Sequence, residues 1–108
     1  MKFEFSPYIA VQVKGNDKAI DFYKRVLGME FIEAKGNDTY LKSGSVNFCF
    51  ENAPEGAHKA VFFEFKTDDI NGARELLEKE GCKVTGVFSE KSVMFSDPYG
   101  MRFHLWED

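Results

Sequence analysis

The chain has 108 residues and a formal net charge of −4, and 44% of its residues are hydrophobic. This length fits a single domain spanning residues 1–108, and the apolar content is enough for a packed core, which excludes a disordered chain. Mild acidity without a basic stripe argues against a nucleic-acid partner. The amino-terminal residues have neither the apolar run of a signal peptide nor that of a membrane span, and Cys49 and Cys82 form no CxxC motif. We therefore expect a cytoplasmic protein with reduced thiols and no membrane association.

The first half of the chain has the pattern of a strand, a helix and three strands. Alternating polarity over residues 7–13 predicts a half-buried strand. Apolar residues at helical spacing follow, with Asn16 or Asp17 as the expected N-cap and Gly28 as the expected end. Three short strands are expected at residues 30–34, 39–42 and 45–51.

The same pattern returns after residues 52–57, which have the composition of a linker. A strand is expected at residues 61–66, a helix begins after residues 67–69, and three strands follow near residues 83–88, 91–96 and 101–106. The two halves, about 6–51 and 58–107, match at a shift of about 54 residues. The sequence therefore predicts an α+β fold of two βαβββ modules in tandem.

The apolar stripes of the two helices predict which side chains are buried. Tyr23 and Leu27 are expected to pack against Val11, and Leu77 against Phe65.

Three stretches resemble the vicinal oxygen chelate superfamily, which includes glyoxalase I, bleomycin-resistance proteins, fosfomycin-resistance enzymes and extradiol dioxygenases. They read "YIAVQVKGNDKAIDFYKRVLGMEF", "FFEFKTDDINGARELLEKEG" and "FSDPYGMRFHLWE", and together they span nearly the whole chain. The resemblance is greatest to metal-free members of the bleomycin-resistance type. It implies that each half curls its mixed sheet into part of a cup, with the helices outside and the site inside. It also implies that two chains pair into a homodimer.

Strand alternation then assigns side chains to the cup or to the core. Val46 and Met101 are assigned to the core face of their strands. The side chains assigned to a ligand-binding surface are Tyr8, Gln12, Cys49, Phe62, Glu64, Arg102, His104 and Trp106.

Metal-dependent members of the resembled superfamily carry ligands in the opening strand of each half and in the closing strand. Those positions match Tyr8, Phe62 and His104, with Cys49 as the first-half counterpart of His104. Phe62 cannot ligate a metal and Tyr8 is a poor ligand, whereas a metal site requires three or four nitrogen, oxygen or sulfur donors. We therefore expect no metal and no cofactor. His58 is interpreted as a loop residue.

Each assigned side chain also has a purely structural interpretation. His104 either orients a ligand or acts as a general base, or it is simply hydrogen-bonded in a polar surface. Trp106 and Tyr8 stack on a ligand or cover the sheet. Glu64 and Arg102 fix a charged ligand group or form a cross-strand pair.

No nucleophile–base pair stands out in the sequence, and Cys49 is interpreted as a small buried residue and not a reactive thiol. The leading hypothesis is a small-molecule-binding protein that sequesters an amphipathic or aromatic ligand. The alternative is a metal-dependent lyase, isomerase, transferase or dioxygenase of the same superfamily. A third hypothesis is an accessory protein whose cup is filled by its own side chains.

Overall fold

The computed structural model describes residues 1–13, 16–52 and 60–108. Within these ranges the chain forms two helices and eight strands, and neither helix is long and apolar enough to cross a membrane. The α+β class and the repeated βαβββ order are confirmed. Most of the predicted linker, together with His58, lies outside the described residues. The elements are β1 (Phe3–Val13), α1 (Asn16–Arg25), β2 (Glu30–Lys35), β3 (Asp38–Ser43), β4 (Val46–Asn52), β5 (Ala60–Thr67), α2 (Ile70–Lys79), β6 (Lys83–Ser89), β7 (Ser92–Ser96) and β8 (Arg102–Glu107).

The chain divides into two compact units. The N-terminal unit contains Tyr8–Val61, and the C-terminal unit contains Met1–Pro7 and Phe62–Asp108. Strand β1 begins at Phe3, earlier than the alternation from residue 7 predicts, so it contributes residues to both units.

The N-terminal unit has the strand order β2-β3-β4-β1. Strand β1 runs parallel to β4, with Ala10 opposite Cys49, and the other pairs are antiparallel. The core consists of the buried side chains Val11, Leu41 and Phe50. Ile20 and Tyr23 of α1 pack against them. The predicted packing of Tyr23 is therefore confirmed.

Leu27 is not part of this core, and its predicted burial is wrong. Helix α1 ends at Arg25, so Leu27 lies beyond the helix and is 55% exposed. Gly28 then turns the chain with a φ of 74°. Met29 packs against the core instead, and its backbone N–H donates to the Tyr23 carbonyl at 3.0 Å. The apolar stripe continues past the point where the helix stops, which is why the pattern misassigned Leu27.

The C-terminal unit repeats this arrangement, with the first residues of β1 followed by β5, β8, β7 and β6. Strand β5 runs parallel to β8, and β7 is antiparallel to both β8 and β6. Ile70 and Ala73 of α2 pack on the sheet. The sheet contributes Val93, Phe95 and Leu105 to this core, and Phe103 packs against it. Leu77 and Phe65 also pack against the core, as predicted.

Two side chains assigned to the core face are exposed. Val46 is the first residue of β4, and Met101 precedes the first residue of β8. Alternation gives the side of the sheet on which a residue lies, but packing requires a helix above that point. The assignment of Val46 and Met101 to the core is therefore wrong.

Two aspartates fix the start of α2 and the last hairpin, where the sequence predicted a helix start and a turn. The Asp69 carboxylate accepts from the Gly72 backbone N–H at 3.0 Å and caps the helix. The Asp97 carboxylate accepts from the backbone N–H groups of Tyr99 at 2.8 Å and Met101 at 2.9 Å. These bonds hold the chain where it turns between β7 and β8.

Two leucine truncations test this account of the core. Leu105 is fully buried in the C-terminal unit, so Leu105→Ala should lower the free energy of unfolding by about 2–5 kcal/mol. The exposed Leu27 is the matched control, and Leu27→Ala should change it by less than about 0.5 kcal/mol. Urea denaturation measures both values. Equal losses for the two variants would contradict the assigned core.

Candidate functional site

Three strands of the C-terminal unit bring a carboxylate, an imidazole and a hydroxyl together. Glu64 of β5 lies directly opposite His104 of β8 in the parallel ladder, and β7 pairs with the other edge of β8. The Ser92 hydroxyl oxygen lies 2.6 Å from His104 Nε2. The Glu64 Oε1 atom lies 3.7 Å from His104 Nδ1. These side chains alternate with the α2-facing residues Val93 and Leu105, so they lie on the face of the sheet away from that helix.

The environment of the imidazole determines where its proton lies. Glu64 is 8% exposed and the His104 side chain is 15% exposed. His104 Nδ1 is buried and has no hydrogen-bond partner among the described residues. A buried polar atom without a partner costs about 1–3 kcal/mol, and a small shift toward Glu64 would remove that cost. We therefore assign the proton of the neutral ring to Nδ1, which faces the carboxylate, so that Nε2 would accept from the Ser92 hydroxyl.

The Glu64 carboxylate is also held from its other side. The Ser6 hydroxyl donates to Glu64 Oε2 at 3.5 Å. Ser6 belongs to the short amino-terminal part of β1 that lies within the C-terminal unit. Both carboxylate oxygens therefore have polar neighbours, which restricts the rotation of the group.

Two phenylalanine rings contact His104 edge-on. The Phe62 ring centroid lies 6.5 Å from that of His104, and the Phe88 centroid lies 5.7 Å away. Phe62 is buried, whereas Phe88 is 60% exposed. The sequence did not identify Phe88 because β6 carries register shifts on both sides of Gly86 and Val87, which break the alternation on which face assignment depends.

Trp106 and Arg102, also assigned to the ligand surface, are placed differently. Lys66 lies opposite Trp106 in the ladder, and its ammonium nitrogen is 5.6 Å from the Trp106 ring centroid. A cation already covers this ring, which leaves less of it for a ligand. Arg102 is exposed and lies opposite Ser96. Glu64 is therefore paired with His104 and not with Arg102, which lies two residues earlier in β8.

The remaining predicted site residues lie in the N-terminal unit. The Gln12 side-chain amide donates to Glu51 Oε1 at 3.1 Å. The Tyr8 and Tyr40 rings meet edge-on, with centroids 5.0 Å apart. Cys49 is buried, in agreement with its interpretation as a small buried side chain. Polar and aromatic groups are thus present on β1, β3 and β4, and each of these side chains has a neighbour within its own unit.

The observed register changes the argument about metal ligands. The residue opposite His104 is Glu64, whereas the sequence argument placed Phe62 at the ligand position. Glu64 and His104 are oxygen and nitrogen donors of the types that zinc and iron sites use. Glu64 is therefore a possible donor beside His104 that the sequence argument did not count, and the absence of a metal stays a prediction.

Cys82 has no role in this site. It lies in the core of the C-terminal unit, and burial raises the pKa of its thiol, with a smaller contribution from the nearby Asp97 and Glu80 carboxylates. The thiol is therefore protonated and unreactive at neutral pH. Neither Cys49 nor Cys82 forms a disulfide within the described residues, in agreement with the reduced thiols that the sequence predicted.

The sequence was compared with known protein families. Residues 6–105 match the profile of the glyoxalase/bleomycin resistance protein/dioxygenase superfamily. The chain belongs to this superfamily. The match confirms the resemblance to vicinal oxygen chelate proteins, which the motifs of the opening strand, the second half and the closing hairpin indicated. A search of curated proteins gave no match.

Solved structures with the same fold come from proteins of several activities. A hypothetical protein from Bacillus halodurans C-125 is 10% identical, with a TM-score of 0.71 over 100% of this chain and 96% of that one. A Streptomyces coelicolor methylmalonyl-CoA epimerase in complex with 2-nitronate-propionyl-CoA is 14% identical, with a TM-score of 0.68 over 99% of both chains. Homoprotocatechuate 2,3-dioxygenase from Arthrobacter globiformis is 22% identical, with a TM-score of 0.62, and this chain covers 37% of it. At these identities the likeness shows the fold alone.

The tautomer of His104 tests the geometry of the site. Neutral His104 should carry its proton on Nδ1, because the Glu64 carboxylate faces that atom and the Ser92 hydroxyl faces Nε2. Nitrogen-15 NMR of the imidazole distinguishes the two tautomers. Glu64→Gln should shift the ring toward a mixture, because the amide attracts the proton less than the carboxylate does. A dominant Nε2–H tautomer in the unaltered protein would contradict the assignment.

Proposed function

We propose that the chain is a small-molecule-binding protein of the bleomycin-resistance type that sequesters an amphipathic or aromatic ligand without a metal. The ligand would lie on the His104 surface, which consists of Phe62, Glu64, Phe88, Ser92 and His104. The observation that carries this proposal is the Glu64–His104–Ser92 set, in which Glu64 and His104 are nearly buried and Ser92 is half-buried, flanked by two aromatic rings. Apolar walls with a few convergent polar groups are the usual composition of a small-molecule site.

The exposed ring of Phe88 supplies the apolar contribution to binding. It is 60% exposed although it lies beside the imidazole. A ligand that covers this ring removes apolar area from water, which is favourable by roughly 25 cal/mol per Å². An aromatic ligand gains an additional contribution from edge-to-face contact.

The polar contribution comes from the Ser92 hydroxyl. In the assigned tautomer it donates to His104 Nε2, and a hydroxyl oxygen retains lone pairs that accept hydrogen bonds. A ligand N–H or O–H group would donate to that oxygen. The preferred ligand is therefore amphipathic, with an aromatic or aliphatic body and a hydrogen-bond donor.

The comparisons support a small-molecule site on this fold. Solved structures with the same fold include an epimerase in complex with 2-nitronate-propionyl-CoA and a Brevibacterium fuscum dioxygenase in complex with 3,4-dihydroxyphenylacetate. Those ligands belong to those proteins.

A metal-dependent enzyme is the second candidate, and the Glu64–His104 pair is the observation that favours it. These two donors lie opposite each other in the ladder, as metal ligands from neighbouring strands would. Elemental analysis of protein purified without chelators separates the two functions. Stoichiometric zinc, iron or nickel that is lost in His104→Ala would replace the binding proposal with the enzymatic one.

We also propose that the protein is a cytoplasmic homodimer. Neither cysteine forms a disulfide within the described residues, which fits a reducing compartment. The C-terminal unit leaves several large apolar side chains exposed on β1, on β5 and before β8. They are Phe3, Phe5, Phe63 and Met101. Four large exposed apolar side chains on a chain of 108 residues indicate a contact surface, and a second copy would cover them.

Phe88 tests the proposed ligand surface, with its neighbour as control. Val87 and Phe88 are 59% and 60% exposed, and Phe88 contacts His104. Native mass spectrometry of protein taken directly from cells should show a retained small molecule, and Phe88→Ala should lower its occupancy several-fold while Val87→Ala leaves it unchanged. A ligand whose occupancy is equal in both variants would place the site elsewhere.

The homodimer is tested by introducing a charge. Phe63 is half exposed, so Phe63→Glu should fold and should shift the sedimentation mass from dimer to monomer at micromolar concentration. Tyr99→Glu, in the exposed hairpin turn, is the control and should leave the dimer intact. A monomer mass for the unaltered chain would overturn the proposal.

A further inference from the structure

The Ser92–His104–Glu64 set has the order of groups that activates a serine for covalent chemistry. The hydroxyl faces one ring nitrogen at 2.6 Å, and the carboxylate lies beside the other at 3.7 Å. We propose that Ser92 is a nucleophile that accepts the acyl group of small activated esters, with His104 as general base and Glu64 as the residue that positions the ring. This activity goes beyond ligand binding, which requires no covalent bond.

The first step in the argument is the contact between Ser92 and His104. A serine hydroxyl is a weak nucleophile at its ordinary pKa, and an imidazole within about 2.6–3.2 Å that can take its proton activates it. Ser92 Oγ and His104 Nε2 meet this distance without any movement. Because Nδ1 carries the proton in the neutral ring, Nε2 has the lone pair that must receive the hydroxyl proton.

The second step is the support of the ring by Glu64. The carboxylate stabilises the imidazolium that forms when His104 takes the proton, and it holds the ring in the required tautomer. At 3.7 Å the contact is longer than a hydrogen bond, as such contacts often are before a substrate binds. Glu64 is nearly buried, and the Ser6 hydroxyl lies 3.5 Å from its second oxygen, so it is already held beside the ring.

The third step is that the three side chains are held at fixed spacing and that a substrate can reach Ser92. The members lie on β7, β8 and β5, which are hydrogen-bonded neighbours in the C-terminal unit, so backbone ladders fix their spacing. Ser92 is the first residue of β7, directly after the exposed residues Glu90 and Lys91 of the hairpin turn, and it is half-buried. A substrate would therefore approach from the hairpin end of the strand.

The neighbouring side chains define the class of acyl group. Phe88 and Phe62 contact the imidazole edge-on, and neither carries a charge. They would contact the acyl chain of an ester whose carbonyl carbon lies at Ser92 Oγ. The apolar rings therefore favour aliphatic or aromatic acyl groups.

The covalent step balances as an ordinary acyl transfer. The Ser92 oxygen attacks the ester carbonyl carbon as its proton passes to His104 Nε2. The bond between the carbonyl carbon and the leaving oxygen then breaks, and the leaving group takes the proton from His104. The products are an ester on Ser92 and a free alcohol or phenol. Water then attacks the ester carbonyl as its proton passes to His104, the bond from that carbon to Ser92 Oγ breaks, and Ser92 takes the proton from His104 as the acid leaves.

The test uses a fluorophosphonate probe and p-nitrophenyl acetate on the intact chain. The probe should add once, with loss of fluoride, and peptide mapping should locate the adduct on Ser92. Ser92→Ala should abolish labelling, and His104→Gln should slow it by at least about tenfold, because the proton acceptor is lost. Ser96→Ala, at the other end of the same strand, is the matched control and should label at the unaltered rate.

Glu64 requires a readout that distinguishes positioning from stability. Glu64→Gln should slow both labelling and nitrophenol release, and the same variant should change the tautomer population of His104 by nitrogen-15 NMR. A probe adduct on Ser92 of the unaltered chain that forms equally fast in His104→Gln would overturn the proposal. The absence of any Ser92 adduct on the unaltered chain would also overturn it, whatever the folding of the variants and whether or not a ligand is retained.

Discussion

The candidate site depends on the register of one parallel strand pair. Strands β5 and β8 align so that Glu64 and His104 occupy the same rung of the ladder. A slip by one residue would turn one of the two side chains toward α2, and a slip by two would place Arg102 or Trp106 beside Glu64. The core on the helix side resists such slips, because Leu105 is part of it and Phe65 and Phe103 pack against it. The packing of one face of the sheet therefore fixes the chemistry of the other.

The buried polar groups of the site need hydrogen-bond partners, and the described part of the chain supplies only some of them. A carboxylate and an imidazole are both nearly buried, and Nδ1 has no hydrogen-bond partner within the described ranges. Burial of this kind reduces stability unless charge or hydrogen bonding compensates for it. Proteins retain such groups where they serve binding or proton transfer. The buried Glu64 and His104 would serve either ligand binding or acyl transfer, and only acyl transfer forms a covalent bond.

Regular alternation and turn chemistry were sufficient to predict the order of the elements and most of the strand faces. The prediction failed where local regularity ended. Leu27 continues an apolar stripe beyond the last residue of α1, and Phe88 follows a register shift in β6. Ser92 could not be paired with His104 from sequence, because the pairing depends on how β7 aligns with β8. The ladder also places Glu64 opposite His104, a pairing that the sequence alone did not show.

Strand β1 supplies residues to both compact units, although the sequence repeat divides the chain between its two halves. Phe5, near the start of the chain, packs its ring against Phe65, with centroids 5.9 Å apart, and Ser6 reaches Glu64. A fragment that began at residue 58 would lack both contacts, even though it would contain a whole copy of the repeat. The boundary of the compact unit therefore differs from the boundary of the sequence repeat. Exchange of halves between relatives would have to carry the first seven residues with the second half to preserve these contacts.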